Sequence, residues 1–254
     1  MKIYDVAFLG MGASALATAK LKYKGTSISL IGIDKNYHSK RNNFFAFWLT
    51  DWMKDFDSLS QKKWFCWNFY LTNNHIKHET KDLPYCTIRY QDWKNYCLKG
   101  LENLSSKEFN VHSITNLKKY YEIKLENGEE IFAKKIYDSR KPKLENEKVK
   151  QHFFGYLIET KQMINSNSVT LMDFRVEQKM GLHFMYCLPI DENRMLVEST
   201  VFSSEIQEDA WYQKQILEYI ETKLNLSEYK IVDEEKGALP MYDIENKSTE
   251  NYIN

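Results

Sequence analysis

Two groups of residues in this sequence combine side-chain types and spacings that chemistry can use. The first is Gly10-Met11-Gly12-Ala13-Ser14-Ala15, entered from the apolar run Tyr4 to Leu9 and followed by a second apolar run that ends at Asp34. Glycine at 10 lets the chain turn sharply out of a strand, and glycine at 12 leaves room for a pyrophosphate at the N-terminus of a helix. Ala15 stands where this fingerprint has its third glycine, a position that only has to permit close packing of helix on strand. Asp34, about twenty residues on, falls where a ribose hydroxyl is held. Gly10, Gly12, Ala13, Ala15 and Asp34 therefore predict a dinucleotide site, the alternative being an ordinary βαβ turn with an unused acid at a strand end.

The second group centres on Glu198, with Leu196 and Val197 before it and Val201 and Phe202 after it. In a strand, alternation places Glu198 on one face with Leu196, Thr200 and Phe202. A carboxyl among apolar groups keeps its proton because desolvation disfavours the anion, which makes it a usable acid near neutral pH. A salt-bridged glutamate on a solvated face fits the same residues. Asp173 is a second candidate acid, but it shares a strand face with Arg175, so an ion pair that ties two strands is an equal reading.

The elements that must position these residues change character along the chain. A strand, a helix over Ala13 to Lys22 and a second strand form the first βαβ unit, which the aromatic stretch Asn43 to Trp52 then interrupts. Gln91 to Leu104 carries apolar residues at three-and-four spacing and predicts a helix. Tyr120 to Leu125 and Glu130 to Ala133 flank Asn127-Gly128, a type I′ hairpin signal, and the return strand runs on to Asp138-Ser139-Arg140. After the charged link 141–150, Gln151 to Glu159, Val169 to Arg175, His183 to Leu188 and Arg194 to Val201 predict a mainly antiparallel sheet. Glu208 to Leu224 is an amphipathic helix to cover it, and Tyr229 to Glu234 is one more strand. The expected division is a nucleotide-binding domain over 1–150, a substrate-side domain over 151–241 and a polar tail over 242–254.

Composition narrows the class. Of 254 residues 43% are hydrophobic, enough for a sizeable core. Basic and acidic residues balance at 35 each, so no excess charge favours nucleic acid. The N-terminus enters the first strand directly, with no signal-peptide pattern, and no apolar run approaches about twenty residues, so a cytoplasmic protein without a membrane span is expected. Cys66, Cys86, Cys97 and Cys187 lack C-x-x-C spacing, and His75 and His78 lack nearby partners, which argues against a metal site.

Several separated blocks carry a resemblance. Gln151 to Thr160, Leu171-Met-Asp-Phe-Arg175, Leu188-Pro189, Leu196 to Ser203 and Gly237-Ala-Leu-Pro-Met241 resemble, in order and spacing, the bacterial lycopene cyclase family, and Asn43 to Trp48 and Asp138-Ser-Arg140 look like its N-terminal motifs. The resemblance implies an α/β flavoprotein with a Rossmann-type FAD-binding domain, an inserted hairpin and an antiparallel substrate domain. It implies FAD, reduced by NAD(P)H, used without net redox change to close the ends of lycopene or a related carotenoid into β-ionone rings. It implies Glu198 as the catalytic acid, Ser139 and Arg140 beside the flavin, where a plain turn is an equal reading, and Phe44, Phe45 and Trp48 along the polyene, where packing in the core is the alternative. A peripheral contact with the membrane where the substrate dissolves follows too. The family continues past its Gly-x-x-Pro-Met motif into a second glycine-rich flavin segment, and no glycine follows Gly237 here. On that basis the nucleotide-binding sheet is expected to lack its last strand, and the chain to be a truncated remnant or to need a separate C-terminal piece. Another flavoprotein of the same fold, a hydroxylase or a prenyl reductase, is the remaining alternative.

Overall fold

The computed structural model describes residues 1–39, 43–244 and 248–254. The chain opens with β1 (Ile3–Leu9), α1 (Ala13–Tyr23), β2 (Leu30–Ile33) and β3 (Phe44–Trp48), then a 3-10 helical segment over Asp51–Leu59. Next come β4 (Lys62–Trp64), β5 (Cys66–Leu71), β6 (Asn74–Glu79), β7 (Tyr85–Arg89), α2 (Tyr90–Leu98), β8 (Leu104–Lys107) and β9 (Val111–Asn116). The hairpin β10 (Tyr121–Leu125) and β11 (Glu130–Asp138) follows. The last part holds β12 (Lys150–Thr160), β13 (Val169–Asp173), β14 (Leu182–Pro189), β15 (Arg194–Ser203), α3 (Asp209–Thr222), β16 (Tyr229–Pro240) and β17 (Tyr252–Ile253).

The architecture is α/β, with one mixed and two largely antiparallel sheets divided between two compact units. The first unit comprises Met1–Asn42, Tyr90–Pro142 and Glu245–Asn254, and the second Asn43–Arg89 and Lys143–Ile244. This differs from the sequential division expected at residue 150. The aromatic stretch from Asn43 belongs with the antiparallel sheet, because β5 pairs in parallel with β13 and extends that sheet. The expected polar tail is also structured at its end: Tyr252 and Ile253 pair in parallel with Ile136 and Tyr137 of β11.

In the first unit the sheet runs β8-β2-β1-β11-β10-β9, with β17 beside β11. β1 pairs in parallel with both β2 and β11, so it is central and almost wholly apolar, with Ala7, Phe8 and Leu9 fully buried, as strands covered on both faces must be. The helix predicted over Gln91 to Leu104 ends at Leu98, because Gly100 takes φ +89, a conformation glycine reaches without strain, and the chain then enters β8. The hairpin turn departs from type I′: Gly128 has φ +85 whereas Asn127 is not among the positive-φ residues, and the Gly128 amide donates to the Leu125 carbonyl. That is a type I turn closed by a left-handed glycine.

In the second unit the sheet order is β16-β12-β15-β14-β13-β5-β6, and β3-β7-β4 forms a small separate sheet. One face of the large sheet packs Phe154, Tyr156, Met185, Cys187, Val197 and Val201 against Tyr212, Ile216, Tyr219 and Ile220 of α3. The opposite face packs Leu171, Leu188 and Leu196 against Trp64 and Tyr85 of the small sheet, with Phe44 and Tyr186 at its margin. Alternation along β15 thus sends Val197 to the helix side and Leu196 and Glu198 to the aromatic side.

Candidate functional site

The chemistry-bearing residues fall into one group in each unit. In the first unit, Gly10 sits at φ +80, and an added Cβ would come within 3.2 Å of the Ser139 hydroxyl, so both its conformation and its surroundings require glycine. The Met11 amide donates to Asp34 Oδ2 at 2.8 Å, and the Asn36 amide donates to Asp34 Oδ1 at 2.8 Å. The Tyr90 hydroxyl donates to the Met11 carbonyl at 3.0 Å and Trp93 Nε1 to the Ala13 carbonyl at 3.3 Å, so α2 pins the glycine turn from the side. Gly32 has a role that sequence reading missed: a Cβ there would lie 2.8 Å from the Met11 sulfur, so its lack of a side chain gives Met11 its buried seat.

Gly12 is the N-cap of α1, with no side chain capping it, and a Cβ at this position would meet nothing within 4 Å. Ala13 begins the helix, and Ala15 is buried where α1 lies on the sheet. An uncapped helix N-terminus with open space before it suits a phosphate group, whose charge the first-turn amides and helix dipole favour. The residues present therefore fit a dinucleotide pyrophosphate. At the end of β11 the Ser139 amide donates to the Leu9 carbonyl at 2.9 Å and its hydroxyl to the Gly10 carbonyl at 3.0 Å, placing Ser139 against the turn. Arg140 bonds Asp138 through Nε at 2.8 Å and a terminal nitrogen at 2.6 Å, and Tyr252 donates to Asp138 Oδ2 at 2.6 Å. Burial alone would raise Asp138, but these donors outweigh it and hold the carboxyl below its usual range.

In the second unit, Glu198 is 8% exposed and takes a hydrogen bond from the Thr200 hydroxyl at 2.5 Å. Burial pushes its carboxyl up, Thr200 offsets part of that, and the charge of Glu235 raises it further, to about 8. The solvated, salt-bridged reading of Glu198 is thereby excluded: the group is buried and protonated near neutral pH. In register beside it are Tyr186 on β14 and Gly155 on β12. The Tyr186 and Tyr85 hydroxyls are 2.7 Å apart.

Asp173 is fully buried but held differently. Arg175 bonds it through Nε at 2.9 Å, a terminal nitrogen at 2.6 Å and the backbone amide at 3.0 Å, and Tyr219 donates to it at 2.7 Å. Burial would raise its carboxyl, yet the Arg175 and Tyr219 bonds prevail and keep it below the usual range, so Asp173 is ionised and tied to α3 rather than able to give up a proton. Of the aromatic candidates, Phe44 packs at the margin of the Leu196 cluster, and Trp48 lies 4.8 Å from Tyr85 and 6.0 Å from Trp67 by ring centroids. Phe45, between them on β3, points to the other face. Among the described residues no cluster of His, Cys, Asp and Glu could hold a metal, and no helix is long and apolar enough to cross a membrane.

The fold is similar to a geranylgeranyl bacteriochlorophyll reductase-like protein from Thermoplasma acidophilum, with a TM-score of 0.74 at 12% identity over 100% of this chain and 70% of that one. It is also similar to the p-nitrophenol 4-monooxygenase PnpA from Pseudomonas putida DLL-E4, with a TM-score of 0.73 at 11% identity over 99% and 71% of the two chains. The halogenase PltM, solved in complex with phloroglucinol and FAD, gives 0.68 at 12% identity over 98% of this chain and 63% of its own. The chain shares the fold of these proteins and spans about two thirds of their length. No curated protein matches it in sequence. The family model described as lycopene cyclase protein matches residues 5–252, and the chain belongs to that family.

Proposed function

We propose that the protein is a lycopene β-cyclase-type enzyme, with a Rossmann-type FAD-binding unit and a second unit that carries the acid. The observation that carries this reading is Glu198, a buried carboxyl raised to about 8, on an aromatic-covered sheet face of a chain in this family. Gly10, Gly12, Ala13, Ala15 and the first turn of α1 would take the FAD pyrophosphate, Asp34 the ribose, and Ser139 would hold the turn that meets them. When bound and reduced by NAD(P)H, FAD would supply an electron-rich ring able to stabilise positive charge on the substrate without net electron transfer.

Glu198 donates its proton to the terminal carbon-carbon double bond of lycopene, and the ring-closing bond then forms at the resulting cation. The Glu198 carboxylate left by that step takes up a ring proton as the double bond re-forms, which restores the acid, so the reaction is an isomerisation with no net change in atoms or electrons. The aromatic rings of Phe44, Tyr85 and Tyr186 would exclude water from such a cation and stabilise it through their faces, and the exposed Trp48 beside Tyr85 would add its face. Asp173 serves as the anchor between β13 and α3, with no proton to give. The protein acts from the cytoplasm on a membrane-dissolved polyene, by peripheral contact.

The test is anaerobic turnover of lycopene in lipid vesicles with reduced FAD. Formation of β-ionone rings with no stoichiometric loss of NAD(P)H supports the proposal. Hydride consumed once per turnover, with a saturated bond in the product, would show a prenyl-reductase activity instead.

A further inference from the structure

Glu198 does not stand alone on its sheet face. Gly155 of β12 is in register with Glu198 of β15 on one side and with Glu235 of β16 on the other. Directly paired residues point to the same face, so the two glutamates flank a position with no side chain, on strands about 10 Å apart. An added Cβ at Gly155 would touch Glu198 Cβ at 3.4 Å and Cγ at 3.5 Å, so the glycine leaves the lane between the two carboxyls clear. Asn43 donates to Glu235 Oε2 at 3.0 Å and fixes its direction.

We propose that Glu235 is the second carboxyl of the proton-donating site, a positioning residue that acts through Glu198 across the gap left by Gly155. The inference rests on the reading of Glu198 as the acid. Two carboxyls that share a poorly hydrated face cannot both ionise without mutual repulsion, so the pair keeps a proton to higher pH than either member would alone. Burial also raises Glu235, with Asn43 offsetting and Asp233 adding to the effect. Among the described residues, the other titratable groups near Glu198 are Tyr186 in register with it on β14 and Tyr85 on β7, with Cys187 on the opposite, α3-covered face of β14. Burial raises all three, Tyr85 to about 12, so they stay neutral while the carboxyls titrate.

The experiment is an infrared titration of the protein without substrate, the Glu198 carboxyl band being assigned by its loss in Glu198→Gln. In the wild type that band should persist above pH 7. A band that disappears at the pH of an ordinary exposed glutamate overturns the proposal, and this arm needs no substitution at Glu235. Glu235→Gln, nearly isosteric and still able to accept from Asn43, should lower the midpoint by about one pH unit. Glu235→Asp, which keeps the charge, should restore most of it. An unmoved midpoint in Glu235→Gln, or equal shifts in both variants, overturns the proposal. In turnover, the alkaline limb of kcat should move down in Glu235→Gln by the same interval. A chain that makes no rings yet shows the carboxyl shift would refute the cyclase reading and leave the pair intact; normal cyclisation with no shift would do the reverse.

Discussion

Asp34 Oδ2 accepts the Met11 amide at 2.8 Å, which joins the acid at the end of β2 to the middle residue of the glycine turn. The acid that the sequence assigned to a ribose is thus also part of the turn's own hydrogen bonding. Asp34→Ala leaves the Met11 and Asn36 amides without this acceptor, and should lower stability by about 1–3 kcal/mol as well as weaken FAD binding. Chemical denaturation of the apoprotein checks the first part and flavin fluorescence titration the second.

The two turn glycines should separate cleanly. Gly12→Val places its side chain in open space at φ −75, so the fold should hold while FAD binding falls at least tenfold, because the branched chain occupies the pyrophosphate's approach. Gly10→Ala, at φ +80 and close to Ser139, should instead cost about 1–2 kcal/mol of stability. Parallel melting curves and FAD titrations read both; a Gly12→Val protein that binds FAD as the wild type does removes the pyrophosphate assignment.

Asp173→Asn should destabilise the second unit by about 2–4 kcal/mol, since it removes the charge that Arg175 and Tyr219 are arranged around. The Asp173 carboxyl is held below its unfolded value, so its contribution is complete above the ordinary aspartate range and is lost as pH falls through the lowered folded value. The stability gap between wild type and Asp173→Asn should therefore be constant at neutral pH and shrink on acidification.

Glu198 has the opposite sign. Its folded value is raised from 4.5 to about 8, so the folded state binds more protons than the unfolded chain between these limits and loses stability as pH rises through them. Glu198→Gln should be more stable than the wild type at pH 7, by up to ~3 kcal/mol. Denaturant midpoints at pH 5 and pH 8 measure this: the advantage of the variant should grow with pH.

Local patterning made much of this legible. The glycine turn, the β1-α1-β2 order, strands β12 to β16 of the large sheet and the α3 stripe follow from spacing and alternation that the structure reproduces, whereas β5 and β6 of that sheet do not. Long-range pairing was not legible. Nothing in Asn43 to Trp52 says that its strand belongs with β7, or that Tyr252 will find β11, because such contacts are chosen by the assembled sheets. Glu235 escaped for the same reason. The apolar pattern predicts a strand over Tyr229 to Glu234 that stops one residue short of it, and its relation to Glu198 exists only through the register of β12. Gly155, which was visible within a motif, gave the one available signal: a glycine inside a strand marks a close approach or an opening.

The most direct test of the account is the rate of ring formation by Glu198→Gln beside the wild type, with FAD content measured in the same samples. Gln fills the space of Glu and can still accept from Thr200, removing only the transferable proton. With flavin content unchanged, the rate should fall by about a hundredfold or more, the loss expected of a missing general acid. A Glu198→Gln protein with normal flavin and near-normal ring formation would contradict the account.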